Sequence, residues 1–275
     1  MTQEVSNLTT TPLPGTASTM SITDHLDELR KRLTRAVFVF LVGFVACYSF
    51  SEPMMAVLRK PLFAVMAPAQ QKLYFTSLFE NFLTHLKISG VAAIFFFSPY
   101  FFWEIWGFIA PGLYPKERKL MLPFISSAVL FFLGGAAFAY YVLFPVGFKY
   151  FLTYGAATDV PMLTIDSYYG TVLKLLLLFG LAFELPVLLV LLGFLRVIDA
   201  PFLRTNRKSA IIGITLMAAL FAPPDAVSML ILMAPLIIMF EGSILVIAWM
   251  GKRRAEPVPE PGSPETNPLE GKSKP

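Results

Sequence analysis

The sequence predicts an all-α polytopic membrane protein with six transmembrane helices and a helical cap on its outer surface. Three observations carry this. Hydrophobic residues make up 56% of the 275 residues and mean hydropathy is +0.67, whereas charged residues reach only 15%, against about 25% in soluble domains. The apolar residues fall in long blocks without the polar alternation of a membrane β-barrel. Basic residues also concentrate in alternate connecting segments, as multi-pass topology requires. The chain divides into a polar lead at 1–20, a membrane domain at 21–250 and a tail at 251–275.

The lead "MTQEVSNLTTTPLPGTASTM" has neither an arginine-rich start nor a continuous apolar core, so it reads as disordered and cytoplasmic, not as a cleaved signal. Residues 21–35, "SITDHLDELRKRLTR", place Ile22, Leu26, Leu29 and Leu33 at helical spacing after a capping Ser21. That amphipathic helix would lie on the membrane and lead into the first span. Spans are expected over 34–51, 77–106, 119–148, 167–195, 207–222 and 226–249. Between the first two, "MMAVLRKPLFAVMAP" has the length for a short helix across the outer surface. The second span opens with Ser77 three residues before Glu80, a capping-box spacing, and the fourth can begin near Asp166 or Ser167. The fifth is short. Fourteen residues between Lys208 and Pro223 reach about 21 Å, against roughly 30 Å of hydrocarbon. It thins the bilayer, extends through "FLRTNRK", or is re-entrant. In "APPDA", Pro223, Pro224 and Asp225 stop one helix, and Asp225 reads as a cap for the next.

With both termini in the cytoplasm, the inner segments hold 16 basic residues and the outer ones 4, Arg59, Lys60, Lys72 and Lys149. Lys87 and Lys174 fall in the outward halves of spans two and four, where they can snorkel. The net charge of +4 is therefore topology and lipid contact, and no basic-aromatic groove points to nucleic acid. A single Cys47 excludes an intramolecular disulfide, His25 and His85 lack metal-ligand spacing, and no cofactor is implied. The tail "EPVPEPGSPETNPLEGKSKP" reads as disordered on the cytoplasmic side.

Four polar features inside the spans require explanation. In "LFGLAFELPVLLVLLGFL", Glu184 stands two residues before Pro186, and an intramembrane carboxyl is a functional hypothesis by default. Pro186 cannot donate to the carbonyl of Ala182, so a freed acceptor adjoins the glutamate. One reading is a structural hydrogen bond across the bundle; the other is a contact for a partner span or a hydrated notch. Glu241 in the last span is either functional or satisfied by a neighbouring helix. Pro99, Trp103, Glu104 and Trp106 fit an interfacial belt with Glu104 at the headgroups. Gly134, Gly135, Gly180 and Gly193 permit close helix approach.

The stretches "HLDELRKRL" at 25–33, "FIAPGLYPKERK" at 108–119, "FGLAFELP" at 179–186, and "APPDAVSML" followed by "PLIIMFE" at 222–241 together resemble the signature segments of the TatC family, the multispanning core of the twin-arginine protein translocase. The resemblance covers about residues 20–250, with Phe240 where the family often has tyrosine. It implies a glove-like concave bundle in the bacterial cytoplasmic (inner) membrane and no catalytic residues. It also implies folded cargo with twin-arginine signal peptides, the proton-motive force as energy source, and the single-span partners TatA and TatB, with self-association allowed within the complex. Carried over residue by residue, the signal-peptide carboxylates are Glu28 and Glu117, while Glu184 faces the concavity. Charge pattern leaves another reading beside this one: Glu28 has Arg32 at i+4, and Glu117 adjoins Lys116 and Arg118, so each can be a surface ion pair. A small-cation transporter using Glu184, Lys174 and Glu241, or a passive scaffold, are the other functional classes; the transporter predicts a polar path joining those residues.

Overall fold

The computed structural model describes residues 22–109, 121–153, 162–221 and 226–255. The lead at 1–20, Ser21, Glu117, Asp225 with the two prolines before it, and the tail from 256 lie outside the described residues.

Helix α1, Ile22–Tyr48, fuses the amphipathic segment and the first span into one element. Leu26, Leu29 and Leu33 remain exposed among the described residues, while α1 packs on the helices at Glu80–Phe96 and Ser98–Ile109. Helix α2, Ser51–Phe63, leaves α1 at 78° and is the expected surface helix. Its attachment follows from its own proline. Pro61 cannot donate to the carbonyl of Val57, and the Tyr140 hydroxyl donates there instead at 2.9 Å. The Tyr168 and Tyr169 hydroxyls donate to the carbonyls of Leu58 and Met55 at 2.7 and 3.0 Å. Such bonds contribute on the order of 1 kcal/mol each.

The second span is two helices, α3 (Glu80–Phe96) and α4 (Ser98–Ile109), bent by 58°. Pro99 frees the carbonyl of Phe95, and the Ser98 hydroxyl takes it over at 2.8 Å. The third span runs from α5, Met121–Phe138, through a π-helical turn at Ala139–Leu143 into α6, Phe144–Thr153. Helix α7, Ile165–Ala182, is capped by Thr164, whose hydroxyl accepts from the Ser167 amide, and yields to α8, Leu185–Phe194, across a break at Phe183 and Glu184. Arg196, at φ 58°, ends α8 in the left-handed conformation, with the Val197 amide donating to Leu192 at 2.9 Å.

A short α9, Ala200–Thr205, precedes α10, Arg207–Phe221. The helix is interrupted at Asn206, so α10 does not extend continuously through "FLRTNRK". Helix α11, Ala226–Ala255, closes the order. Among the described residues, three helices are long and apolar enough to cross a membrane, and up to five if each bent pair is one span.

Helix α7 is the centre of the core. Tyr169, Val172 and Phe179 are fully buried, and α7 packs on α3 and α5 while α11 packs on α8 and α10. A Cβ on Gly135 would meet the Phe179 carbonyl oxygen at 2.3 Å, so α5 and α7 approach only because that side chain is absent. Gly180 and Gly193 likewise admit Phe132 and Ile247, whereas nothing lies within 4 Å of a Cβ at Gly134, which corrects its expected role.

The α2 end of the bundle is knotted by Glu80. Its Oε2 accepts from the amides of Thr76 and Ser77 at 2.6 and 3.2 Å, and its Oε1 accepts from the Asp166 amide at 2.7 Å. The glutamate half of the capping box thus forms and also ties α3 to α7. Beside it, Tyr74 and Thr164 form a parallel bridge between the two connecting segments.

Candidate functional site

At the opposite end, α1 and α4 are joined by a charged cluster. Arg32 donates from Nε and Nη2 to Glu28 Oε1 at 3.0 and 2.6 Å, and from Nη1 to Glu104 Oε2 at 3.2 Å. Glu104 Oε1 accepts from the Tyr100 hydroxyl at 2.8 Å and faces Arg35 Nη1 at 3.6 Å. Burial alone would lower the Arg32 pKa; the hydrogen bonds and charges of Glu28 and Glu104 outweigh it and hold the guanidinium above its ordinary value. A Cβ on Gly107 would lie 2.1 Å from Arg32 Nη1, so the guanidinium rests against bare backbone. His25 stacks on Phe108 with ring centroids 4.2 Å apart, a second tie between the two helices.

Glu28 is therefore a half-buried carboxylate held by one guanidinium through a single oxygen; Oε2 accepts no bond among the described residues. The i+4 ion pair anticipated from the sequence is present, and it leaves acceptor capacity for a second cation. Glu104, expected at the headgroups, is only 6% exposed and anchors this pair. Trp106, expected in the same belt, is 4% exposed and stacks on Phe124; Trp103 stays on the surface. The displacement has a simple cause: Pro99 bends the span and turns the face carrying Tyr100 and Glu104, one helical turn apart, toward α1. That i, i+4 pair in "YFFWE" was the available signal. Glu117 lies outside the described residues, eight positions beyond Ile109, the end of α4.

Midway along the bundle, Glu184 occupies the break between α7 and α8, and Pro186 falls in the first turn of α8. Glu184 Oε1 is buried and has no hydrogen-bond partner among the described residues, so for that oxygen no cross-bundle bond is made there. No side chain donates to Ala182 among the described residues, in contrast to the carbonyls freed by Pro61 and Pro99. Glu184 lines a cleft of about 360 Å³ with Leu181, Leu188, Met217, Ala218 and Leu232. Leu181 also lines a second apolar cleft, and that one shares Ile94 with a third beside Lys174. The three clefts thus neighbour one another through single shared wall residues, Ile94 and Leu181.

Glu241 lies on α11 and accepts from Arg207 Nη2 at 2.7 Å, the neighbouring-helix solution anticipated for it. Neither Lys174 nor Glu241 lines the Glu184 cleft, whose other lining residues are all apolar. The polar path that a small-cation transporter requires is not formed among the described residues.

Long apolar helices with glycine-mediated crossings, a charged cluster at one end and a carboxyl lining an apolar cleft define a polytopic α-helical membrane protein. The chain belongs to the TatC family: residues 24–235 match the family described as TatC, Sec-independent protein translocase protein. It is 40% identical over 232 residues to the Sec-independent protein translocase protein TatC of Desulforapulum autotrophicum, covering 84% of this chain and 86% of that protein. Identity to the TatC of Magnetococcus marinus is 40% over 236 residues, 86% of each. A crystal structure described as the twin arginine translocase receptor TatC superposes with a TM-score of 0.72 at 30% identity, covering 82% of this chain and 99% of the other. A second, in the detergent DDM, gives 0.72 at 32% identity over 81% and 98%.

Proposed function

We propose that this chain is the signal-peptide-recognising core subunit of a twin-arginine protein translocase, exporting folded proteins across the bacterial cytoplasmic membrane at the expense of the proton-motive force. It acts by binding, without a catalytic residue or cofactor. Residues 21–250 carry the membrane domain with both termini cytoplasmic, and the last helix continues to Ala255. TatA and TatB are its single-span partners, and lipid surrounds it.

The observation that carries the reading is the Arg32 guanidinium seated between Glu28 and Glu104. It supports a site whose geometry already suits one guanidinium and whose Glu28 retains an oxygen for another. The paired arginines of a signal peptide supply cations that bind carboxylates in bidentate fashion, which lysines do not. In this reading Glu117 completes the site. Its segment leaves α4 just after Phe108, which stacks on His25 three residues from Glu28. Glu184 with Pro186 receives a partner span, and Glu241 holds α10 against α11 through Arg207.

A photo-cross-linker beside Glu117 is expected to capture a twin-arginine precursor strongly and a twin-lysine precursor weakly. Glu28→Ala and Glu117→Ala should reduce capture more than protein abundance, because they remove anions without truncating an apolar core side chain. Glu117→Asp should retain more capture than Glu117→Ala. Equal capture of both precursors would reduce these carboxylates to partners of local basic residues.

A further inference from the structure

The third of these clefts, about 520 Å³ between α3 and α7 near the α2 end, is not used by the reading above. Its charged lining residues are Lys87, Asp166 and Lys174, with Ser167 and Thr171 between them along α7 and apolar walls that include Val91 and Leu177. Glu80 and the Asp166 amide are in direct contact, which levels the starts of α3 and α7. Lys87 lies seven residues beyond Glu80, about 10 Å along the helix. Its ammonium nevertheless reaches back to the Asp166 carboxylate at the helix start. That side chain snorkels, and its charge is answered inside the protein.

Lys174 differs. It stands eight residues beyond Asp166, about 12 Å down α7, at a depth where an uncompensated charge is costly. Asp166 is engaged by Lys87 and Oε1 of Glu80 by the Asp166 amide. Lys174 has no ion pair or hydrogen bond among the described residues. The cleft therefore carries one excess positive charge and shares Ile94 with a neighbouring apolar cleft of about 410 Å³ lined by Phe40, Phe102 and Leu181.

We infer that this cleft binds an anionic glycerophospholipid of the outer leaflet, with the phosphodiester on Lys174 and an acyl chain along the wall toward Ile94. The single excess charge selects the headgroup. A phosphatidylglycerol-type headgroup brings one negative charge, whereas a zwitterionic headgroup adds an ammonium beside two lysines and neutralises nothing. The neighbouring apolar cleft selects a lipid over a soluble anion, because its walls gain from burying methylenes. The inference uses only the outward orientation of α2 from the reading above and is independent of the Glu28 cluster.

The test is photo-labelling of the full chain in phosphatidylcholine vesicles doped with acyl-photoactivatable phosphatidylglycerol, followed by mapping of labelled peptides. Label is expected on α3 and α7 around Val91 and Leu177. Lys174→Gln should lower it about fivefold, the typical value of one basic residue near an anionic surface. Lys174→Arg should retain it, and Asp166→Asn, which adds a second free cation, should retain or raise it. Matching thermal midpoints for wild type and Lys174→Gln establish that the loss is not unfolding. The inference is overturned by equal labelling of wild type and Lys174→Gln, by equal labelling with photoactivatable phosphatidylcholine, or by displacement of the probe with inorganic phosphate. Capture of a single-span protein from a cross-linker at residue 174, in place of lipid, overturns it as well. Twin-arginine precursor capture near Glu117 should be unchanged in Lys174→Gln, so this test and that of the receptor reading fail separately.

Discussion

At Glu104 a buried carboxylate collects the Tyr100 hydroxyl and Arg32, with Arg35 close by. In the proposed reading it does not replace Glu28 as the binding group; it positions Arg32, which otherwise has only Glu28 to pair with. Glu104→Gln keeps an acceptor but removes the charge. Arg32 should then collapse fully onto Glu28 and compete with an incoming guanidinium. A charged hydrogen bond contributes about 1.5–3 kcal/mol, so the dissociation constant of a twin-arginine peptide should rise roughly tenfold or more, with little change in abundance. Gly107→Ala provides an independent arm, because its Cβ displaces Arg32 without altering any charge. Unchanged peptide affinity in both variants would leave Glu104 as a structural tie alone. The Glu28–Arg32 half of this cluster was legible in the sequence because helical spacing forces residues four apart onto one face. The Glu104 half joins residues 72 apart, and it depends on a bend that places α4 against α1, which local pattern does not encode.

Among the elements, three prolines show how broken helices are reconciled with a membrane interior, where a freed carbonyl needs a donor. Tyr140 serves Val57 above Pro61, and Ser98 serves Phe95 above Pro99. Ser98 is adjacent to its proline and readable from "SP", whereas Tyr140 comes from a distant helix through a π-helical turn and is not. Among the described residues no side chain serves the carbonyl before Pro186, and Glu184 beside it keeps one buried oxygen unpaired. In the proposed reading, that oxygen at the helix break receives a hydrogen-bonding side chain of another span. Glu184→Ala should leave insertion and precursor capture intact while reducing cross-linking from this cleft to TatA or TatB and reducing export. Glu184→Gln, which retains hydrogen-bonding atoms, should be milder. Normal abundance-corrected export by the alanine variant, with no partner cross-link in resting or substrate-engaged membranes, would make Glu184 an internal contact only.

On the scale of the whole molecule, hydropathy located the long apolar blocks but not the number of crossings, since a window average sees length and composition and not bends. The critical element is α10. Its 15 residues extend about 22 Å, and the Arg207–Glu241 pair sets its start beside the sixteenth residue of the 30-residue α11. The connection between α10 and α11 and the ion pair therefore bracket a distance shorter than the roughly 30 Å hydrocarbon core. Local thinning of the bilayer meets this shortfall with α10 as a true crossing; a re-entrant α10 meets it by returning the chain to its starting side. The 16-to-4 distribution of basic residues favours the crossing, because Arg204, Arg207 and Lys208 then share the inner side with the basic C-terminal segment. In a Cys47→Ala background, single cysteines at Lys72, Asp159 and Asp225 should react with an impermeant thiol reagent on intact cells. Those at Lys116, Arg204 and Lys272 should react only after permeabilisation. Labelling of Lys272 from outside, with Arg204 still protected, would show α10 to be re-entrant and reduce the crossings to five; protection of Asp225 together with that result would place the α10–α11 turn on the inner side as well.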